Sequence, residues 1–478
     1  MTSYPFDILF RQREGSHSGL VRAPAKRLGG ESSLMGSNPI PSAKLKFSEN
    51  IKMETYNIWT IGCQMNKADS ERLGSALDQL GLSSTDSSTE ADVIILNSCV
   101  VRQSAENKVT GTLGSLKAHK RIFPDKIVAL MGCMVGPTTD SLKQKFPHVD
   151  VFMRPQEFEP LIQLIGQKLD IDTDGCLGQL TARADVTAYI PIIHGCDKFC
   201  SFCIIPYRRG REVSRTVNDI VNEVNLLSER GVKEVTLLGQ NVDSYGHDLV
   251  GNENLATLLE AVSTVDKVKR IRFLTSHPND MSDNIIDTVA NNEKVCENIN
   301  LPFQAGDDSV LGRMRRGYTN AEYRKLIDKI RIKVPNVSIT TDLIVGFCGE
   351  TEDQFEKTLD MVKDIKFDKV HSAIYSTRTG TIADRKFQDD VSDSEKTNRL
   401  KQIDETQSNI QKELNKDLMG KTMEVLVEND KDHRSFGRNR NDKLVYLPQD
   451  SSLIGKMVSV EIIETGPWSL KGKVVTAA

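Results

Sequence analysis

From residue 189 to residue 375, short apolar or β-branched runs alternate with helical patterns. The runs span 189–193, 234–238, 270–274, 298–301, 338–345 and 369–375, and helical stretches at 217–230, 255–265, 320–333 and 351–365 fill the gaps. Two neighbouring strands joined through a helix pair as parallel strands, because the crossover returns the chain to the same end of the sheet. Six such units predict a parallel sheet curled into an incompletely closed (β/α)6 barrel. Barrel chemistry sits on the loops that follow the strands. Cys196 comes just after the first run, and Gln240, Asn241, His277, Gln304 and Gly346 come just after later ones.

A second alternation lies upstream. The runs 56–62, 92–98 and 126–132 each end at a cysteine, Cys63, Cys99 and Cys133, and a helical stretch follows each. This β-Cys-α pattern predicts a doubly wound parallel sheet over 54–168. In such a sheet the loops at the carboxyl ends of the strands converge on one crevice. The competing reading is three buried structural cysteines, since free cysteine is among the most buried residue types.

Cys196, Cys200 and Cys203 form a C-x3-C-x2-C triplet, with no fourth cysteine in reach. Three thiolates hold three irons of a cubane cluster and leave the fourth open to a small molecule. A structural zinc site is the alternative, but it usually closes with four ligands in two short pairs. Spacing alone does not separate iron–sulfur from zinc at the upstream set.

The chain has 478 residues, enough for two to four domains, and a net charge of −4, so any basic surface is local. It contains no apolar run of membrane-spanning length. Nine cysteines, six of them in two sets of three, argue for a reducing compartment, the cytoplasm, and against a disulfide scaffold. Residues 170–185 read as a linker and 391–418 as a connecting helix. The tail, 419–478, carries short strands at 423–427, 444–447, 458–463 and 472–475 and predicts a small β-barrel. A basic loop is expected at 431–443, with Arg434, Arg438, Arg440 and Lys443 as candidate RNA contacts, because phosphates pair with Lys and Arg and unstacked bases with flat side chains. A plain solvated loop is the alternative.

The cysteine triplet at 196–203 resembles the cluster loop of radical S-adenosylmethionine enzymes. Further stretches resemble the methylthiotransferases: Gly62-Cys63-Gln64-Met65-Asn66, Asn97-Ser98-Cys99-Val100-Val101-Arg102, Met131-Gly132-Cys133 and Ile204-Ile205-Pro206-Tyr207-Arg208-Arg209-Gly210-Arg211-Glu212. So do Leu237-Leu238-Gly239-Gln240-Asn241-Val242, Thr275-Ser276-His277-Pro278 and Asp342-Leu343-Ile344-Val345-Gly346-Phe347. The likeness covers residues 56–475, and Cys348 departs from it, standing where the family usually has proline. Cys-Val-Val-Arg after the second upstream cysteine is similar to the branch acting on isopentenylated adenosine in tRNA.

The resemblance implies two 4Fe–4S clusters, one on Cys63, Cys99 and Cys133 and one on Cys196, Cys200 and Cys203. The second would bind and cleave S-adenosyl-L-methionine, with Gln240, Asn241, Gln304 and Arg315 as candidate contacts. It further implies a tRNA anticodon stem-loop as substrate, a reducing electron donor, a sulfur source, a tail resembling the TRAM domain and, in all, a monomeric radical transferase. The basic residues Arg208, Arg209, Arg211 and Arg215 would meet RNA phosphate or the S-adenosylmethionine carboxylate, or pair with Glu212 and its neighbours.

Residues 1–52 are rich in Ser, Gly, Pro and Arg, lack apolar periodicity and read as disordered. Gly36-Ser37-Asn38-Pro39 is what a tRNA T-arm gives when translated in one frame. The expectation is an upstream tRNA gene read as coding, with Met53 as the native start. A native N-terminal peptide that begins before Met53 would contradict it.

Overall fold

The computed structural model describes residues 53–100, 103–175, 177 and 180–477. The expectation for residues 1–52, and Val101 and Arg102 of the Cys-Val-Val-Arg stretch, lie outside the described residues.

Strands β1 (Thr55–Thr60), β2 (Ser83–Ser84), β3 (Val93–Ser98), β4 (Ile127–Gly132) and β5 (Val151–Met153) form one parallel sheet in the order β2-β1-β3-β4-β5. The central strands β3 and β4 are buried along their whole length, which is why their sequences are unbroken apolar runs rather than alternating ones. Val93 and Ile95 face a core with Leu73, Leu77 and Ile165. Ile94 and Leu96 face the opposite core, with Val109 and Leu113. Helices cover both faces, so the sheet is doubly wound as expected, and its strand order reverses between β1 and β3.

The central region adds β6 (Thr187–Pro191), β7 (Ile193–His194), β8 (Val213–Ser214), β9 (Glu234–Leu238), β10 (Arg270–Leu274), β11 (Asn298–Asn300), β12 (Ser338–Val345) and β13 (Lys369–Ile374). Two parallel sheets, β6-β9-β10 and β11-β12-β13, are stitched together by a parallel bridge between Ile271 and Val295. The result is the six-stranded open barrel that the alternation predicts. Val235, Leu237, Ile271, Phe273, Ile299 and Ile339 turn outward into the core under the helices. Their strand neighbours, among them Glu234, Arg270, Arg272, Asn298 and Asn300, stand on the opposite, polar face. The helix Asp393–Lys416 is more than a connector, since Ile403 and Ile410 enter the same core and Arg399 is buried against Glu350 at 3.0 Å.

Strands β14 (Thr422–Lys431), β15 (Arg434–Asn439), β16 (Leu444–Pro448), β17 (Met457–Thr465) and β18 (Leu470–Ala477) close into a barrel. The basic loop expected at 431–443 is instead strand β15 between two tight turns. Asp432, His433 and Asp442 supply the positive φ angles, 51°, 61° and 62°, that such turns need. A polar, arginine-rich segment pairs here because Gly437 lets β14 come close: a Cβ at that position would lie 1.9 Å from the Leu426 carbonyl oxygen.

The C-terminal barrel is fixed to the amino-terminal ends of the central strands. Arg270 is fully buried and donates to the Arg438 carbonyl at 2.7 Å and to Glu424 Oε1 at 2.9 Å. Arg272 joins Glu234 at 2.9 Å and the carbonyls of Arg440 and Asn439 at 2.7 and 2.6 Å.

Candidate functional site

The cysteine triplet at 196–203 sits on a loop that leaves β7 and returns through β8, and the antiparallel pairing of these two strands pins its ends. Gly195 permits the closure, with φ 76° and the Arg211 carbonyl oxygen 1.9 Å from where a Cβ would be. Ser201 holds the loop from below, donating to the Arg313 carbonyl at 2.7 Å. The Arg316 guanidinium is buried and donates through Nη1 to Cys200 Sγ at 3.3 Å, through Nε to the Tyr318 hydroxyl at 3.1 Å and through Nη2 to the Pro302 carbonyl at 3.1 Å. Burial pushes the Cys196 thiol up to about 11 and the Cys203 thiol up to about 12. At neutral pH both therefore keep their protons until a metal displaces them.

The loops that follow the other barrel strands carry unsatisfied polar atoms. Gln240 Oε1, Asn241 Oδ1, His277 Nε2 and Gln304 Oε1 are buried and without a hydrogen-bond partner among the described residues. Such atoms are costly to leave bare, about 1–3 kcal/mol each. Asn241 uses its Nδ2 on Asp280 at 2.6 Å, and Lys198 of the cysteine loop reaches the same carboxylate at 2.7 Å. His277 Nδ1 accepts from the Asn279 backbone N–H at 3.3 Å. Burial, then Arg316 and Lys198, lower its pKa to about 2. The ring is thus neutral, with its proton on the unpartnered Nε2. Thr275 and Gln304 adopt φ angles of 76° and 69°, and Phe199 in the cysteine loop 46°. Left-handed backbone at non-glycine residues is strained, and it gathers at functional sites.

Asp243 underlies this region, accepting from the Ser276 hydroxyl at 2.9 Å and from the His277 N–H at 3.0 Å. Burial raises its pKa to about 7. The folded state thus holds this proton more tightly than the unfolded chain does, and stability falls as pH rises from about 4 to about 7. The stability gained in Asp243→Asn should accordingly grow across that window and level off above it. A gain in melting temperature that is flat with pH would refute the assignment.

The upstream triplet follows β1, β3 and β4, next to the point where the strand order reverses, which is the usual ligand position in such sheets. Cys63 is exposed, whereas Cys99 and Cys133 are buried. A buried polar network fixes their loops. Asn66 Nδ2 donates to Asn97 Oδ1 at 3.0 Å and to the Ser98 carbonyl at 2.9 Å. Asn97 Nδ2 returns a bond to the Asn66 carbonyl at 2.7 Å. Gly132, at φ 97°, leaves room for Asn97 Oδ1, which would lie 2.4 Å from a Cβ. The two triplets meet where Cys133 and Val100 pack on Ile204, the residue after Cys203. A cavity of about 440 Å³ opens at this junction, lined by Pro137, Arg154, Ile204, Tyr207, Arg208 and Thr379 among others.

Among the described residues no three His, Cys, Asp or Glu groups close around a single metal-ion position. Three thiols to a loop set suit a cubane cluster held on three of its irons. The orphaned polar atoms beside Cys196–Cys203 suit a polar small molecule at its open iron.

Several candidates from the sequence have other roles. Arg315 is exposed on a left-handed residue at φ 59° that ends the helix Asp308–Met314, and the buried arginine at the cysteines is its neighbour Arg316. Arg438 pairs with Glu428 at 2.6 Å, Arg440 with both oxygens of Glu297 at 2.8 Å, and Lys443 with Asp368 at 3.0 Å. Arg440 and Lys443 tie the C-terminal barrel to the central strands, while Arg438 pairs within the barrel; of the four, only Arg434 is exposed. Arg211 pairs with Asp197 and Arg215 with Glu223. Arg316 and Asp243 were missed, because burial, not residue type, distinguishes them; Arg209, named among the basic candidates, pairs with the buried Asp69.

Residues 190–362 match the Radical SAM superfamily, residues 55–154 the Uncharacterized protein family UPF0004, and residues 416–475 the TRAM domain. The radical S-adenosylmethionine methyltransferase TsrM from Kitasatospora setae, solved with cobalamin and a 4Fe–4S cluster bound, is similar in fold at a TM-score of 0.50 and 13% identity, over 68% of this chain and 75% of that one. The fold and the cysteine loop thus define a radical S-adenosylmethionine enzyme. The tRNA-2-methylthio-N(6)-dimethylallyladenosine synthase of Dehalococcoides mccartyi (strain CBDB1) is 45% identical over 423 residues, covering 88% of this chain and 99% of its own length. The enzyme of that name from Herpetosiphon aurantiacus is 45% identical over 425 residues, covering 88% and 97%. The chain belongs to the family of tRNA-2-methylthio-N(6)-dimethylallyladenosine synthases.

Proposed function

We infer that the chain methylthiolates N6-(dimethylallyl)adenosine beside the anticodon of tRNA, giving 2-methylthio-N6-(dimethylallyl)adenosine. The observation that carries this reading is the meeting of two three-cysteine loops from different domains at Cys133 and Ile204. The adenine C2–H is too inert for ionic substitution, so the site needs a radical on one side and sulfur on the other. Cys196, Cys200 and Cys203 hold one 4Fe–4S cluster, and Cys63, Cys99 and Cys133 the other. When bound, the first cluster and S-adenosylmethionine supply the hydrogen-abstracting radical, and a second S-adenosylmethionine supplies the methyl group.

The chain's own side chains do the rest. Gln240, Asn241, His277 and Gln304 offer their unpartnered atoms to S-adenosylmethionine. The Arg316 N–H on Cys200 withdraws charge from the thiolate, and hydrogen bonds to sulfur are one of the levers on cluster potential. The proposed division is a methylthiotransferase domain over 54–168, a radical domain over 186–390, the helix over 391–418 and the RNA-binding barrel over 419–478. No helix among the described residues is long and apolar enough to cross a membrane. The reading takes the protein as a cytoplasmic monomer served by an external one-electron donor and sulfur source.

For RNA, the outer face of β15 and β16 offers Arg434 stacked over Tyr446 at 4.4 Å, with Phe436 beside it. A stacked base on such a platform is worth about 1–3 kcal/mol by alanine substitution. Tyr446→Ala should weaken binding of an anticodon stem-loop by about that amount, read by fluorescence anisotropy, while unchanged affinity would exclude this face. The function itself is tested by nucleosides of bulk tRNA from a deletion strain. Dimethylallyladenosine should accumulate and its methylthio form vanish. Loss of the methylthio form of threonylcarbamoyladenosine instead would move the chain to another branch.

A further inference from the structure

Arg208, Arg209, Arg211 and Arg215 follow the radical-cluster cysteines. Three of them are matched to acids: Arg209 to Asp69, Arg211 to Asp197 and Arg215 to Glu223. Arg208 is not. Among the described residues no carboxylate lies within ion-pair distance of its guanidinium, and its buried Nε has no hydrogen-bond partner. Burial holds its pKa below the ordinary value, and Cys133 and Glu106 oppose this through space without a hydrogen bond. Glu106 is itself paired with Arg378 at 3.4 Å. A cation left this bare fits a position that an anion fills.

The position is built. Gly136, three residues after Cys133, makes a seat for the guanidinium, since a Cβ there would collide with Arg208 Nη1. Arg154, just beyond β5, donates through Nη2 to the Arg208 carbonyl at 3.2 Å. Its Nε is also buried and without a partner among the described residues. Its acid, Glu157 at 3.1 Å, is more than half exposed, so the pair is weak in water. Both arginines line the cavity of about 440 Å³ where the two cysteine sets meet. Tyr207 forms another part of the wall, its ring set edge-on to Phe199 at 6.0 Å and under the Arg385 guanidinium at 6.0 Å. Two poorly neutralised cations and a fixed aromatic ring around one cavity match a nucleotide: the phosphate takes the cations, and the base or ribose takes the ring.

We propose that Arg208, with Arg154 beside it, binds the phosphodiester of the RNA nucleotide next to the one that is modified. This rests on the tRNA reading above. Arginine meets phosphate through two parallel N–H bonds, which fix direction as well as position. Holding one flanking phosphate sets how far the target adenine enters between the two cysteine sets. Arg208 is in this sense a positioning residue for the substrate.

The test uses full-length reconstituted protein and an anticodon stem-loop carrying N6-(dimethylallyl)adenosine, with binding read by fluorescence anisotropy over a range of salt. Arg208→Gln should weaken binding roughly tenfold, as expected for loss of a hydrogen bond to a charged group, and lower the slope of log affinity against log salt by about one. Gly136→Ala keeps the charge but displaces the guanidinium, and should weaken binding as well. Each loop phosphodiester is then replaced in turn by a neutral methylphosphonate. In the parent, one linkage beside the modified adenosine should cost about as much as Arg208→Gln does. In Arg208→Gln that same replacement should cost nothing further. A merely structural role for Arg208 would not remove the penalty at a single linkage. Arg208→Gln protein that binds with parental affinity and slope, or that keeps the full methylphosphonate penalty at every linkage, would overturn the assignment. A parent that fails to bind the stem-loop would instead overturn the tRNA reading beneath it.

Discussion

Replacing Cys196, Cys200 and Cys203 together by alanine should lower the iron of the reconstituted protein from about eight to about four per chain, the content of two cubanes and then of one. Cleavage of S-adenosylmethionine should vanish in the same variant. The reason is the separation of the two triplets. Each set lies on loops fixed by its own contacts: the radical set by the β7–β8 pairing and Ser201, the upstream set by Asn66 and Asn97. Emptying one should leave the other formed, so the remaining iron should still show a cluster spectrum. Loss of all iron would mean that the sets share one metal centre. Zinc in place of iron would remove the radical chemistry.

Arg272→Ala should destabilise the protein by about 3–5 kcal/mol, the usual cost of removing one partner of a buried ion pair. Three acceptors lose their donor at once: Glu234 Oε1 and the carbonyls of Asn439 and Arg440. Two of them belong to the C-terminal barrel, so the damage falls on its docking. A drop in melting temperature should be joined by faster proteolysis between the helix Asp393–Lys416 and β14. If the apolar pair Arg272→Met with Glu234→Leu restores the melting temperature while stem-loop binding stays weak, the arginine orients the barrel as well as stabilising it. An Arg272→Ala protein as stable as its parent would show that this interface contributes nothing.

The parts of the fold that were legible in the sequence are those set by local patterns. The unbroken apolar runs of β3 and β4 and the helix–strand alternation after residue 188 reflect burial on both faces and a repeated crossover, and both leave periodic traces. Strand β15 left none: Arg434–Asn439 holds one aromatic, a glycine and two arginines, and its pairing depends on Gly437 admitting β14. The cysteines were visible because spacing encodes ligation. Arg209 was ambiguous because its partner Asp69 is 140 residues away. The choice between Arg315 and Arg316 turned on a single left-handed residue at a helix end, which decides which of two adjacent arginines points inward. The basic candidates Arg440 and Lys443 misled for a related reason: net charge identifies cations, while the acids that neutralise them, Glu297 and Asp368, lie far away in the sequence.

The most direct measurement is a single-turnover assay. Anaerobically reconstituted protein, reduced and supplied with S-adenosylmethionine and sulfide, is mixed with an anticodon stem-loop carrying N6-(dimethylallyl)adenosine, and the digested nucleosides are read by mass spectrometry. The account predicts 2-methylthio-N6-(dimethylallyl)adenosine and 5′-deoxyadenosine together, and no methylthiolated nucleoside from a threonylcarbamoyladenosine stem-loop. Intact substrate alongside a full complement of iron would contradict it.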